Sequence, residues 1–323
     1  MKSKLLLVAV TLGLFISASA QAQTAYGVTA NGTLFRFDVD TPGTVATIGN
    51  LGIVPEAIDF RPGTGVLYAI DVGPTTTQLY TVSVLTAAVT PVGTGFPSQV
   101  VDGAGSYNLL NSSIGFDFNP RTLQPDGSVR IRVVASNGTN LRLNSDTGAV
   151  AGVDTPLAYA AGDANAGNSP FVDAVAYINS AQSTPAAAGT TSLFGMDSRN
   201  DDLVVFQGSP NTGVLETVGD FGVTIDALPV IGFDIFSDPL SMDDSIAGDF
   251  GFAVLERDAT AGGAYLLYDV DLMTGEISMG ALVGGGLSFD GGFAVIPEPS
   301  TTALALVGLG VLAWRVRTRR RQG

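Results

Sequence analysis

An all-β fold is what this sequence predicts, and three observations predict it. Glycine is abundant, at 41 of 323 residues, while charged residues make up only 14%. Gly, Thr, Val and Asp in place of Lys and Glu favour strands joined by tight turns. Period-2 apolar runs, among them Leu67/Ala69, Leu79/Tyr80/Val82 and Leu266/Tyr268/Val270, are bounded by Gly, Asp and Thr. The third observation organises the other two. An apolar–Asp–apolar pattern recurs as AIDFRP (57–62), GFDFNP (115–120), GFDIFS (232–237) and SFDGGF (288–293), with a weaker copy in FVDAVAY (171–177). Repetition at this spacing marks one supersecondary unit per repeat.

Taken in chain order, residues 1–22 have a basic start, an apolar stretch from Leu5 to Ile16 and small residues before a polar break. This is the layout of a secretory signal peptide, and Ala18-Ser19-Ala20 and Ala20-Gln21-Ala22 each offer an A-x-A cleavage site. The body follows, residues 23–296. Its first segment, AYGVTANGTLFRFDVDTPGTVATIG (25–49), lacks the opening apolar–Asp strand, whereas the last, LSFDGGFAVI (287–296), has that strand and stops. The two ends are complementary halves of one unit. A β-propeller of about five blades explains this directly: the C-terminal strand completes the N-terminal blade, and closure removes exposed strand edges. The other units are about 54–93, 112–152, 170–219 and 229–284, and the polar stretches 163–170 and 179–191 read as surface loops.

Residues 297–323 read as a separate address. Pro297-Glu298-Pro299 precedes an apolar run from Thr301 to Trp314, then Arg315, Arg317, Arg319, Arg320 and Arg321. Fourteen helical residues span about 21 Å, short of a ~30 Å hydrocarbon core, but tilt and snorkelling arginines extend the reach. The expectation is a transmembrane helix over 301–314 with the arginines held in the cytoplasm and the body outside.

Composition excludes several chemistries. The sequence has neither Cys nor His, which removes thiol and imidazole nucleophile systems, the Ser-His-Asp triad and the usual zinc sites. Lys2 and Lys4 lie at the start and five arginines in the tail, so the body holds eight arginines against 29 acidic residues, a formal charge of −21. Such a field repels nucleic acid and anionic lipid. What remains is carboxylate chemistry, an oxygen-ligated metal, or binding without catalysis.

The candidate metal site is the repeated aspartate set, Asp59, Asp117, Asp173, Asp234 and Asp290. One per repeat places them at equivalent radial positions, where a ring of carboxylates could hold Ca²⁺. The competing reading has each Asp bonding backbone N–H groups, as Asp commonly does in turns, and this is the reading favoured. DSRNDDL (197–203) resembles a calcium loop but lacks the central Gly and distal Glu, and DPLSMDD (238–244) reads as a solvated acidic loop. For a glycosidase the body offers Glu56, Glu216, Glu256 and Glu276, whose separations sequence cannot measure.

Pro-Glu-Pro, a short apolar helix and an Arg cluster, in that order, resemble the PEP-CTERM sorting signal of Gram-negative bacteria. The resemblance implies recognition and processing by an exosortase, a membrane transpeptidase, and an association with exopolysaccharide and biofilm matrix. The body, on IDFRPGTGVLYAI (58–70) and AYGVTANGTLFRFDVDTPG (25–43), resembles an uncharacterised, propeller-like family often joined to such tails, which has no established activity or site residues. The expected protein is therefore exported, anchored in the inner membrane as a precursor and then found at the cell surface or outside. It is expected to be non-enzymatic, without a cofactor unless Ca²⁺ is bound, and to meet exopolysaccharide or envelope proteins. The alternative is an extracellular carboxylate-dependent polysaccharide hydrolase or lyase.

Overall fold

Each repeat folds into an antiparallel four-stranded sheet, and the sheets stand around a central axis. The computed structural model describes residues 23–101, 103, 105–180, 191–225, 230–237, 246–257, 264–278 and 280–296. The first blade takes β1 (Thr24–Thr29), β2 (Thr33–Asp38) and β3 (Val45–Asn50). The second is β4 (Ala57–Arg61), β5 (Val66–Val72), β6 (Thr76–Val82) and β7 (Val89–Pro97). A hairpin of β8 (Gln99–Val100) and β9 (Tyr107–Asn108) leads to the third, β10 (Ile114–Phe118), β11 (Arg130–Ala135), β12 (Asn140–Asn144) and β13 (Val150–Val153). Next comes β14 (Ala158–Tyr159), ahead of the fourth blade, β15 (Val172–Tyr177), β16 (Leu193–Asp197), β17 (Asp202–Phe206) and β18 (Val214–Asp220). The fifth is β19 (Val230–Ser237), β20 (Asp249–Arg257), β21 (Ala264–Val270) and β22 (Ala281–Leu282), and β23 (Phe289–Val295) ends the described chain.

The ring closes as the complementary ends predict. β23 pairs antiparallel with β1, Ala25 opposite Val295 and Gly27 opposite Phe293, so the first blade reads β23-β1-β2-β3 from axis to rim. The innermost strands β23, β4, β10, β15 and β19 each contact the next around the axis, β19 returning to β23. This is an all-β, five-bladed propeller. One element departs from the expected pattern. Between the third and fourth units, ahead of the loop read at 163–170, β14 adds a fifth strand to the rim of the fourth blade, pairing in parallel with β18.

Strands that read as one-sided alternation are buried on both faces. Tyr68 and Ile70 pack toward the third blade, while their neighbours Leu67 and Ala69 pack toward the first. Each of the five blade junctions holds its own apolar cluster. Burying a large side chain such as Phe35, Phe118 or Phe289 contributes roughly 1.5–3 kcal/mol. The core is thus distributed between blades, and no blade can bury its faces alone.

Toward the axis the inner strands converge, and this explains the glycine of the GFD repeats. A Cβ on Gly115 would stand 2.8 Å from Val134 Cγ2 and 3.0 Å from the Val175 nitrogen; one on Gly232 would stand 2.6 Å from Phe293 Cβ. The same level is occupied by Ala57 in β4, Ala174 in β15 and Gly292 in β23. Small residues here let five strands share one axis.

Candidate functional site

Inner strands of a propeller have one edge without a ladder partner, and its amides must find acceptors elsewhere. Five such amides, of Phe60, Phe118, Tyr177, Ile235 and Val295, ring the axis at one level, and three carboxyls satisfy all of them. Asp59 accepts its neighbour Phe60 N–H at 2.6 Å and Phe118 N–H of the next blade at 3.0 Å. Asp117 accepts Tyr177 N–H at 2.5 Å. Asp234 accepts Ile235 N–H at 2.7 Å and Val295 N–H at 2.6 Å. The pattern fixes the equivalence of positions: the places of Asp59, Asp117 and Asp234 are taken by Ala176 in β15 and Ala294 in β23.

That corrects the expectation of five equivalent aspartates. Asp173 lies three residues ahead of the shared position, at the register shift that interrupts β15 between Val172 and Ala174. It is 1% exposed and accepts Val230 N–H at a long 3.5 Å, and its Oδ1 makes no hydrogen bond of good geometry. Asp290 lies four residues ahead, beside the irregular pairing of β23 with β1, and is exposed. Among the described residues no group of three or more acidic side chains is arranged to hold a metal ion.

Among the described residues no cation is placed to offset the three ring carboxyls. Burial pushes Asp59 well above the usual carboxylate range, and the charge of Asp234 adds to it. Burial, then Asp59 and Asp234, do the same to Asp117. Burial raises Asp234 to about 6, against the pull of its two amides.

A separate cavity of about 760 Å³ opens at the face where the inner strands begin. Among the described residues, Glu56, just ahead of β4, and Asp290 supply its carboxyls, Asn111, Ser112 and Ser113 supply amide and hydroxyl groups, and the remaining walls are aliphatic, with no aromatic or basic side chain. Glu56 is held in place: its N–H bonds Ile70 O at 2.9 Å and its Oε2 accepts Val72 N–H at 2.6 Å. Burial pushes its carboxyl up to about 7, with Asp71 and Asp290 adding to the shift. Glu216 and Glu276 line other, separate cavities. Glu256 lies on β20 and is not among the residues lining the mouth. The sequence named Glu56 only as one of four glutamates; its partner Val72 and the facing loop 109–113 come from elsewhere in the chain.

The calcium-like DSRNDDL stretch is a turn. Both oxygens of Asp197 are occupied, Oδ1 by Arg199 and Asn200 N–H and Oδ2 by Tyr159 O–H and Phe171 N–H. The acidic stretch 238–244 lies outside the described residues. So do the signal peptide over 1–22, the helix expected over 301–314, the motif Pro297-Glu298-Pro299 and the five tail arginines. Among the described residues no helix is long and apolar enough to cross a membrane.

Comparison with protein-family models matches residues 33–291 to a domain of unknown function, DUF4394. The chain belongs to the DUF4394 family. Residues 295–321 match the PEP-CTERM protein-sorting motif, which marks this DUF4394 protein as an exported one handled by an exosortase. No curated protein matches. Distant similarity extends to solved structures. A provisionally assigned exo-β-1,3-galactanase from Bifidobacterium bifidum s17 is 11% identical, over 79% of this chain and 87% of its own, with a TM-score of 0.45. The fucose-specific lectin from Aleuria aurantia is 16% identical, over 82% and 75%, with a TM-score of 0.41. TolB from Acinetobacter baumannii is 14% identical, over 86% and 67%, with a TM-score of 0.39. At these scores none carries an argument about this chain.

Proposed function

We propose that the DUF4394 body is a non-enzymatic binding module, delivered outside the cell by its sorting signal, whose partners are exopolysaccharide or envelope proteins of the matrix. One observation carries the reading: the buried acids on the axis are committed to backbone amides that hold the ring together. They are structural parts and have no free oxygen pair to offer a substrate. The matched sorting motif begins at Val295, the last residue of β23, so address and fold overlap only at the end of that strand. Exosortase processing at Pro297-Glu298-Pro299 would leave the ring intact and the body free or transferred to the surface.

A second reading, a carboxylate-dependent polysaccharide hydrolase or lyase, is favoured by one feature. Glu56 and Asp290 line a single cavity, and a carboxyl near 7 suits a general acid. Among the described residues the cavity has no aromatic platform for a sugar ring, which leaves binding the stronger reading. One experiment addresses both. The exported chain, purified in detergent and immobilised, is exposed to the producing cell's exopolysaccharide and envelope fractions. Retention of a polymer or envelope protein with no new reducing or unsaturated chain ends supports the binding module. Release of chain ends that Glu56→Gln abolishes overturns it in favour of the enzyme, and no retention at all removes the adhesive role.

A further inference from the structure

The geometry points to the channel mouth as a binding site for a small organic cation, a ligand carrying a protonated amine. This rests on the binding reading above and names the ligand class. The cavity, at about 760 Å³, is of the size that holds small molecules, roughly 300–1,000 Å³. Among the described residues its lining carboxyls are Glu56 and Asp290, and they face a space with no basic side chain. The body as a whole has no lysine, and its formal charge of −21 concentrates cations around it.

A second observation comes from behind the wall. Asp173 is 1% exposed, its Oδ1 makes no hydrogen bond of good geometry, and the hydroxyls of Ser198 and of Ser113, a residue of the cavity wall, stand beside its carboxyl. Its other oxygen accepts the amide of Val230, and Val230 lines the cavity. A buried, incompletely satisfied carboxyl thus adds negative potential to the mouth from below, where low-dielectric surroundings screen it least. Such a group is costly to maintain without a compensating charge nearby.

The form of the cation follows from the donor set. Two lining carboxyls are too few for Ca²⁺, which takes 6–8 oxygen ligands, and among the described residues no larger cluster of acids is arranged for a metal. An ammonium needs only three acceptors, which two carboxyls and a serine or asparagine oxygen supply. Without an aromatic ring there is neither stacking nor a cation–π cage, so charge and hydrogen bonding must provide the affinity. The wall is also prebuilt. Leu109 N–H bonds Ser98 O, Leu110 N–H bonds Asn108 Oδ1, and Asn137 holds both Asn108 O and Ser112 Oγ. Asn111 sits in the left-handed region at φ 56, a conformation that asparagine tolerates and that such a fixed loop can enforce.

Calorimetric titration of the full chain in detergent tests this, with spermidine and D-glucosamine as amines and N-acetylglucosamine as the neutral counterpart. Both amines are expected to bind and N-acetylglucosamine is not. Glu56→Gln and Asp290→Asn should each weaken spermidine at least about tenfold, while Asp40→Asn, an exposed acid away from the mouth, should leave it unchanged. Asp290 is exposed, so its variant tests the site without threatening the fold. Equal losses in all three variants would mean diffuse charge attraction and overturn the site. Binding of N-acetylglucosamine as tight as that of glucosamine, or no binding of either amine, would overturn it too. Retention of matrix polymer by a chain that binds no amine would sink this inference and leave the binding module standing. Amine binding without polymer retention would do the reverse.

Discussion

Asp59, Asp117 and Asp234 lie on the inner edge of the ring with their oxygens on five backbone amides, whereas Glu56 and Asp290, toward the mouth of the same channel, frame an open cavity. Both sets are carboxyls on one axis, with no neutralising cation in contact among the described residues. What separates them is the partner that geometry provides. On the ring level, inner-strand amides reach each carboxyl and make it part of the closure. At the mouth the strands have only begun, a single amide reaches Glu56, and acceptor capacity is left over.

The largest expected effect comes from breaking the ring set. Asp59→Ala removes the acceptor of two buried amides, on β4 and on β10. At about 1–3 kcal/mol for each buried donor left unpaired, the variant should lose roughly 2–6 kcal/mol in urea unfolding. A loss no larger than that of Asp290→Ala would erase the distinction between the two sets.

A smaller effect is expected with pH, and it sharpens the comparison because both sets contribute. Asp234 and Asp173 stand near 6 and Glu56 near 7 in the folded chain, all raised chiefly by burial, against about 4 when unfolded. Between pH 4 and 7 the folded state therefore binds more protons than the unfolded one. The stability these groups permit is full below about 4 and falls as pH rises through 6 to 7. The urea midpoint should be higher at pH 5 than at pH 8, and Asp234→Asn should flatten the slope. A midpoint that rises with pH would contradict the assignment.

The smallest effect is expected from cations. Thermal unfolding in Ca²⁺ and in EDTA should coincide, because the ring carboxyls already have their partners. A clear rise in Ca²⁺ would assign a structural ion to one of the two sets.

The ring itself was legible in the chain because three of its repeats carry one signature: a small residue where strands converge and an acid two residues on, in Ala57/Asp59, Gly115/Asp117 and Gly232/Asp234. Complementary end segments gave the closure. The level of Asp173 and Asp290 was not legible. Those acids stand three and four residues ahead of the shared position, across backbone irregularities in β15 and β23, and an apolar–Asp–apolar pattern does not say how far along its strand the acid falls. Glu56 was hidden for a different reason. Its environment is made by Val72, Leu109 to Ser113 and Val230, so its burial exists only once the ring has closed. The apolar runs also understated the core, since strands such as VLYAIDV bury residues on two faces while their sequence reads as alternation.

β23 is the innermost strand of its blade, and Ile296, which follows it, still bonds Thr24 O at 2.9 Å. A tether at Pro297 would therefore pull on the fold at its hub, directed along the strand. Under such a load the bonds from β23 to β1 and the Asp234 clasp on Val295 are strained side by side. They would have to rupture together, where a rim attachment would let them open one after another like a zip. A propeller held by its hub is a mechanically tough way to moor a body while an enzyme works on the leash.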